Sequence, residues 1–283
     1  MAEKQKGDCV IMRGAAVRKK QVNFLILSGY IFVILLAVVV LFPVVYMFVN
    51  AFAKNIPVET TKGFLPSAWG LSGFYEVFVR RPDYLIKFWN SLLLSCAIVV
   101  GQCVFSALAG YGFSKFVFPM RETIYFVVIV LMLMPYQVTL VSNFLITEAL
   151  HLNNTYWAIL LPGIFSPFGV FLLRQGFDAM PEEIREAAML EGCSQLRLLI
   201  QIGVPVCKGP LTALILLSFV DAWNMVEQPL VFLQEAFRYP ISVFLAQMDE
   251  SRIDILCTCG ILVLLPVLLL FLFSEEDLTK DLA

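Results

Sequence analysis

The sequence predicts an all-α, polytopic membrane protein with six transmembrane helices and with both termini in the cytoplasm. The first observation is composition: hydrophobic residues make up 60% of the 283 residues and charged residues 15%. A soluble domain has roughly 45–50% hydrophobic residues and about 25% charged residues. The second is the separation of charge from long apolar stretches, and the third is the position of the Lys and Arg residues. The abundance of aromatic residues, 13% of the chain, also excludes a disordered protein.

Charged residues are almost absent from six long stretches of the chain. A helix needs about 20 apolar residues to cross the hydrocarbon core of a bilayer. Backbone polar groups in lipid must also form hydrogen bonds within their own segment. We therefore expect each stretch to form a helix that crosses the membrane. The only charged residues in these stretches are Lys208 and Asp221. The six stretches are residues 24–49, 90–112, 123–146, 156–173, 206–226 and 255–273.

Lysine and arginine are concentrated before the first stretch, and this excess predicts a cytoplasmic N-terminus. Six crossings then return the C-terminus to the same side. Residues 1–23 are expected to be a basic cytoplasmic tail, residues 24–273 the six-span domain and residues 274–283 an acidic C-terminal tail. Within the domain, residues 50–89 form an extracytoplasmic loop. Residues 174–205 form the only substantial cytoplasmic loop.

The sequence holds no recognisable catalytic or cofactor-binding pattern. Its one histidine, His151, excludes a site that needs two imidazoles, and the cysteines lack metal-ligand spacing. A phosphate-binding P-loop needs a Gly-Lys pair, and the chain contains none. We therefore predict neither an enzyme nor a bound cofactor or metal. Energy for any transport must come from a partner protein or from an ion gradient.

The cytoplasmic loop carries helix signals at several positions. Pro181 suits the first turn of a helix, Gly192 suits its end, and Ser194 can cap a following helix. The loop is thus predicted to be a short helix, a glycine break and a second helix that leads into the fifth span. Ala187 and Ala188 lie beside Ile184 on one helical face and leave a shallow surface that another protein can approach. An incidental amphipathic helix is the alternative interpretation.

These residues resemble the EAA signature of ABC-importer permeases. Glu186, Ala187 and Ala188 are followed by Gly192 and later by Pro205, in the spacing of that signature. Three further stretches resemble the carbohydrate, maltose-type branch and occur in the order expected for it. They are Asn90-Ser91-Leu92, Met134-Pro135-Tyr136-Gln137 with Leu152-Asn153-Asn154-Thr155-Tyr156 after it, and Ala222-Trp223-Asn224.

The resemblance implies a permease subunit of an importer for a sugar or sugar derivative in the plasma (inner) membrane of a bacterium. It implies four kinds of partner besides lipid: a second, similar permease subunit, two cytoplasmic ATPase subunits, an extracytoplasmic solute-binding protein and the sugar itself. It also assigns the loop residues Glu186, Ala187, Ala188 and Gly192 to coupling with the ATPase. An ion-coupled secondary transporter or channel is the alternative function, for which Asp221 is the one candidate acid within a span.

Polar residues in the fifth span are the first candidates for the substrate pathway. Asp221 and Asn224 fall on one helical face with Ser218 and Gln228, and Trp223 lies beside them. Polar groups at membrane depth tend to face the bundle interior or water. The alternative is that they form hydrogen bonds between helices or lie near the outer interface. Beyond the kink expected at Pro135, the second-rank candidates are Gln137 and Asn143.

Overall fold

The computed structural model describes residues 2–54, 56–57, 63–81, 83–248 and 251–280, and it describes side chains within residues 26–275 of these ranges. The basic side chains of the N-terminal tail and most of the acidic tail therefore lie outside the described residues. The described chain is almost entirely helical, with two isolated antiparallel bridges and no β-strand. The predicted all-α class is confirmed.

Fourteen α-helical segments follow one another in the described residues. In chain order they are α1 Ala2–Ala51, α2 Ser72–Tyr75, α3 Asp83–Lys115, α4 Arg121–Met132, α5 Tyr136–Ala149, α6 Trp157–Ile164, α7 Pro167–Asp178, α8 Glu182–Leu190, α9 Gln195–Leu198, α10 Val204–Val206, α11 Lys208–Trp223, α12 Glu227–Phe232, α13 Ile241–Ala246 and α14 Ile253–Lys280. Two π-helical segments, Glu76–Arg80 and Leu199–Gly203, and one 3₁₀ turn, Ala236–Arg238, complete the helical structure.

Among the described residues, four helical segments are long and apolar enough to cross a membrane, and the number rises to six if each bent helix pair is one span. The single segments are Ile26–Ala51, Asp83–Lys115, Trp157–Asp178 and Ile253–Glu275. The bent pairs are α4 with α5, and residues 195–206 with α11. The predicted six spans agree with this larger number. The cytoplasmic location of the termini stays a prediction from the positions of Lys and Arg.

Three of the predicted spans depart from a single continuous helix. The third is broken rather than kinked, because α4 and α5 meet at an angle of 104° and Pro135 has an extended backbone with ψ 133°. The fourth is interrupted before Pro167, where the side chain of Ser166 caps α7. The fifth bends by 81° before Lys208, and its helix ends at Trp223 instead of Val226. Proline explains the first two, since it removes a backbone donor and restricts the residue before it.

Two compact units make up the chain. The first comprises residues 1–73 and 252–258. Within this unit, the buried Asn50 amide donates to the Tyr46 carbonyl oxygen at 2.9 Å and so secures the end of α1. Asp254 is fully buried and accepts a hydrogen bond from Ser72 Oγ at 2.8 Å. A buried carboxylate with such partners is stable where an unpaired one would not be.

The second unit comprises residues 74–251 and 259–283 and is organised around α3. Small residues on α3 allow close helix packing. A Cβ on Gly110 would lie 2.9 Å from the Arg174 backbone nitrogen, and one on Gly101 would lie 2.5 Å from an Ile164 side-chain atom. Only glycine permits such an approach, which brings α3 against α6 and α7. This packing holds the ends of the spans that carry the two candidate sites.

Candidate functional site

The helix-glycine-helix arrangement predicted for residues 174–205 is present in the second unit. Pro181 is the residue that precedes α8, not its first residue, and its extended backbone directs the chain into the helix. Glu182 and Glu183 occupy the first turn, where carboxylates interact favourably with the helix dipole. The paired Arg185 guanidinium lowers the pKa of the Glu182 carboxyl. Glu182 therefore stays ionised at neutral pH.

A Schellman motif ends α8 at the predicted glycine. The Cys193 N–H donates to the Ala188 carbonyl at 3.0 Å, and the Gly192 N–H donates to the Met189 carbonyl at 3.0 Å. Gly192 has φ +81°, a conformation that favours glycine because it has no Cβ. The side chain of Ser194 then accepts from the Arg197 N–H at 3.4 Å and begins α9. The left-handed backbone of Gly192 thus determines the direction in which the chain turns from α8 into α9.

The two alanines of the loop lie in different environments. Ala188 is buried in a cluster with Met180, Phe177 and Leu198. Ala187 is exposed, as are Glu186 and Ile184. The predicted shallow surface therefore consists of Ala187 with Ile184, because Ala188 points into the subunit's own core. Ala188 can influence a partner only through the position of α8.

Three side chains fasten the loop to the end of α3. The buried Lys115 Nζ donates to the Met180 carbonyl at 2.8 Å, and the Tyr111 hydroxyl donates to Gln195 Oε1 at 3.1 Å. Ser114 Oγ donates to an Asp178 carboxylate oxygen at 2.6 Å. Of the three, the bond from the shielded Lys115 ammonium is of the charged kind that stabilises by about 1.5–3 kcal/mol. These bonds tie the segments on either side of α8 to the end of α3, and the Lys115 ammonium also lies 3.9 Å from the Glu182 carboxylate of α8.

A second region is a cavity of about 590 Å³ at the end of α11. We call it the Asp221 cavity. It lies beside the break between α4 and α5, since the first residue of α5 contributes to its wall. Five of its seven described lining residues carry polar side chains, although apolar atoms form most of the wall surface. The lining residues are Tyr136, Asp221, Asn224, Met225, Val226, Glu227 and Gln228.

The structure brings together only some of the predicted pathway residues. Asp221 and Asn224 line the Asp221 cavity, whereas Gln137 and Asn143 are not among its described lining residues. Trp223 is buried, and its indole N–H donates to the Val263 carbonyl at 3.1 Å. Its observed contacts are therefore structural.

The predicted polar stripe on one helix is wrong in its geometry. The chain leaves α11 after Trp223, so Gln228 lies in α12 and reaches the cavity from there. Ser218 is buried and donates to Gln102 Oε1 on α3. For Ser218, the alternative interpretation of a hydrogen bond between helices therefore applies.

Tyr136 is the cavity residue that the sequence interpretation omitted. Its hydroxyl oxygen is shielded from solvent and makes no hydrogen bond of ordinary geometry in the described part of the chain, although the Gln228 side chain lies close to it. The signal available in the sequence was Pro135, because a residue that follows a helix break is placed at the bend. A polar atom of this kind, left unsatisfied beside a cavity, can bind a solute or water.

Residues 102–276 match the family described as binding-protein-dependent transport system inner membrane component. The chain is 28% identical over 260 residues to an arabinooligosaccharides transport system permease protein, AraQ, of Halalkalibacterium halodurans, covering 90% of this chain and 92% of that protein. It is 27% identical over 245 residues to the lactose transport system permease protein LacG of Rhizobium radiobacter, covering 86% and 89%.

The fold is similar to that of a solved membrane transporter. A chain in the crystal structure of a bacterial ABC transporter involved in the import of the acidic polysaccharide alginate superposes with a TM-score of 0.80 at 20% identity, covering 88% of this chain and 95% of that one. A second structure, of a bacterial alginate ABC transporter in complex with an alginate pentasaccharide-bound periplasmic protein, gives a TM-score of 0.62 at 15% identity. That superposition covers 87% of this chain and 92% of that one.

Proposed function

The chain belongs to the binding-protein-dependent transport system inner membrane component family, and we propose that it is a permease subunit of an ATP-driven importer for a sugar or sugar derivative. The prediction of a multi-pass inner-membrane transport subunit is confirmed by this membership and by the apolar helices. The relatives are transport permeases rather than enzymes, as the sequence predicted. Family membership favours this function over an ion-coupled secondary transporter or channel.

The observation that carries the proposal is the construction of the loop around α8. An exposed helix face is presented at a defined angle by the Schellman motif and is fastened to α3 by Lys115 and Tyr111. A left-handed glycine ends many helices, so the distinguishing feature is the combination of the exposed α8 face with the shielded Lys115 side chain that bonds the Met180 carbonyl. The arrangement suits a rigid element that a cytoplasmic partner displaces.

The proposed partners follow from the relatives and from the lack of a nucleotide site in the sequence. Two cytoplasmic ATPase subunits would contact Ala187, Glu186 and Ile184 of this chain and the equivalent surface of a second, similar permease subunit. An extracytoplasmic binding protein would deliver the sugar. ATP binding can bias the access equilibrium only through contacts that differ between the two states, and we assign this difference to the α8 surface.

The Asp221 cavity is the proposed contribution of this subunit to the sugar pathway. Asn224 and Gln228 offer amide donors and acceptors, and Asp221 offers carboxylate acceptors. Sugar hydroxyls are both donors and acceptors, and such groups satisfy one another. Broken helices beside a polar cavity are also a common construction for transport sites in membranes. Gln137 and Asn143 remain second-rank candidates for the same pathway.

The test is a matched pair of tryptophan substitutions in the complete importer reconstituted into proteoliposomes. The transported sugar is first identified by screening the purified binding protein against neutral, amino and acidic sugars. Ala187→Trp places a large ring on the exposed face of α8, whereas the control Ala149→Trp places one on the exposed end of α5. We expect Ala187→Trp to lower ATP-dependent uptake at least tenfold and Ala149→Trp to leave it within twofold.

Both variants are compared at equal amounts of assembled complex, measured by co-purification of the ATPase subunits. Loss of uptake in Ala187→Trp, whether with loss of ATPase binding or with ATP hydrolysis that no longer drives transport, supports the proposal. Normal uptake with normal ATPase stimulation in Ala187→Trp would contradict the assignment of α8 as the coupling surface.

A further inference from the structure

The walls of the Asp221 cavity carry negative charge without a compensating cation. Asp221 and Glu227 contribute two carboxylates, and none of the described lining residues is Lys, Arg or His. In the described part of the chain, neither carboxylate accepts a hydrogen bond or forms an ion pair. Both side chains belong to exposed residues. Their charges therefore act on whatever enters the cavity.

The remaining lining groups suit a neutral, hydroxyl-rich molecule. Asn224 and Gln228 supply amide groups, and the Tyr136 hydroxyl beside Gln228 supplies a donor and an acceptor. Free carboxylate oxygens accept hydrogen bonds from sugar hydroxyls or from an ammonium group. A sugar carboxylate or phosphate would instead meet the like charges of Asp221 and Glu227.

From these contacts we propose that the Asp221 cavity admits neutral and amino sugars and rejects sugars that carry carboxylate or phosphate groups. The inference rests on the proposed function and narrows its substrate class. It also separates this chain from the alginate importer that shares its fold, since alginate is an acidic polysaccharide. Asp221 and Glu227 would be the residues that determine this charge selectivity.

The test measures the electrostatic potential in the cavity with two thiol reagents of opposite charge. Asn224→Cys is introduced into the complete importer and labelled with a trimethylammonium-ethyl or a sulfonato-ethyl methanethiosulfonate. The thiolate attacks the reagent sulfur, a mixed disulfide forms, and methanesulfinate leaves. The parent protein, which lacks the added cysteine, measures labelling of the native cysteines. The measured quantity is the ratio of cation to anion labelling rates.

We expect this ratio to fall on the order of tenfold when Asp221→Asn and Glu227→Gln are added together, because two nearby negative charges attract one reagent and repel the other. Glu148→Gln, which removes an exposed carboxylate that is not among the described lining residues, is the matched control and should leave the ratio unchanged. Gln228→Cys gives a second reporter if Asn224→Cys reduces assembly. An unchanged ratio in the double variant would overturn the charge inference.

The same samples separate this inference from the proposed function. Labelling of Asn224→Cys by the cationic reagent should block sugar uptake if the cavity lies on the pathway. Rapid labelling without any effect on uptake would remove the cavity from the pathway. Blocked uptake together with a ratio that ignores Asp221 and Glu227 would leave the pathway intact and refute only the charge selectivity.

Discussion

Replacement of Gly192 by alanine is the sharpest test of the loop geometry. The residue has φ +81°, and a Cβ added there would meet no atom within 4 Å. The cost of Gly192→Ala is therefore conformational and not steric. An L-residue in the left-handed region is less stable by roughly 1–2 kcal/mol, and this corresponds to about a 5- to 30-fold increase in the population of opened loop.

The assay is amide hydrogen exchange of the segment that includes the Schellman hydrogen bonds, measured by mass spectrometry on the purified complex. Exchange at Gly192 and Cys193 should accelerate by about the same factor, since both N–H groups lose their carbonyl partners when the turn opens. Gly192→Asn should show a smaller change, because asparagine tolerates the left-handed region better than alanine.

The matched control is Gly112→Ala, which also adds a Cβ where no atom lies within 4 Å but in helical backbone without a positive φ. Alanine is favoured over glycine in a helix by about 1 kcal/mol, so this variant should not accelerate exchange in the loop. Equal exchange in Gly192→Ala and in the parent protein would refute the argument that the glycine conformation determines the loop. The ratio of ATP hydrolysed to sugar imported should rise only in the Gly192 variant.

Three further predictions concern the anchor of the loop and the end of α11. Lys115→Met should destabilise the loop by about 1.5–3 kcal/mol, because it removes the ammonium donor from the Met180 carbonyl. We expect a lower thermal unfolding midpoint in Lys115→Met and a partial recovery of that midpoint in Lys115→Arg. Trp223→Ala should lower the free energy of unfolding by about 3–5 kcal/mol, since the ring is buried and bonded to the Val263 carbonyl, while the KM of uptake by the folded protein stays unchanged. Asn224→Leu should raise the KM for uptake several-fold and lower the unfolding midpoint only slightly, because it also removes the hydrogen bond that Asn224 Nδ2 donates to the Val220 carbonyl at 2.9 Å. Unchanged kinetics would remove Asn224 from the pathway.

The sequence predicted those features that are determined by residues close together in the chain. Long uncharged stretches identified the spans, because charge is excluded from hydrocarbon. Gly192 and Ser194 identified the end of one loop helix and the start of the next, because each satisfies backbone groups near itself in the chain. The candidate residues Asp221 and Asn224 were found in the same way, from polarity in an apolar segment.

Features that depend on how different segments pack together could not be predicted from the pattern within one segment. Helical periodicity placed Ala187 and Ala188 on one face. Only Ala188 is buried, because it alone packs against the core cluster that contains Met180. Pro135 predicted a bend in the third span. The angle of 104° between α4 and α5 also depends on the segments against which these helices pack. No glycine or proline marks the end of α11 at Trp223, so Gln228 was assigned to the wrong helix.

The break at Pro135 has a consequence for how the subunit can exist in a bilayer. Where a helix stops within the hydrocarbon, its last carbonyl groups need donors from outside the regular helix. The Leu133 and Met134 N–H groups supply some of them here, and each group left in contact with acyl chains costs several kcal/mol. This side of the molecule must therefore be wetted or covered by protein, so an orphan copy should be a substrate for membrane proteases. Balanced synthesis with its assembly partner would then govern how much of the chain accumulates in a cell.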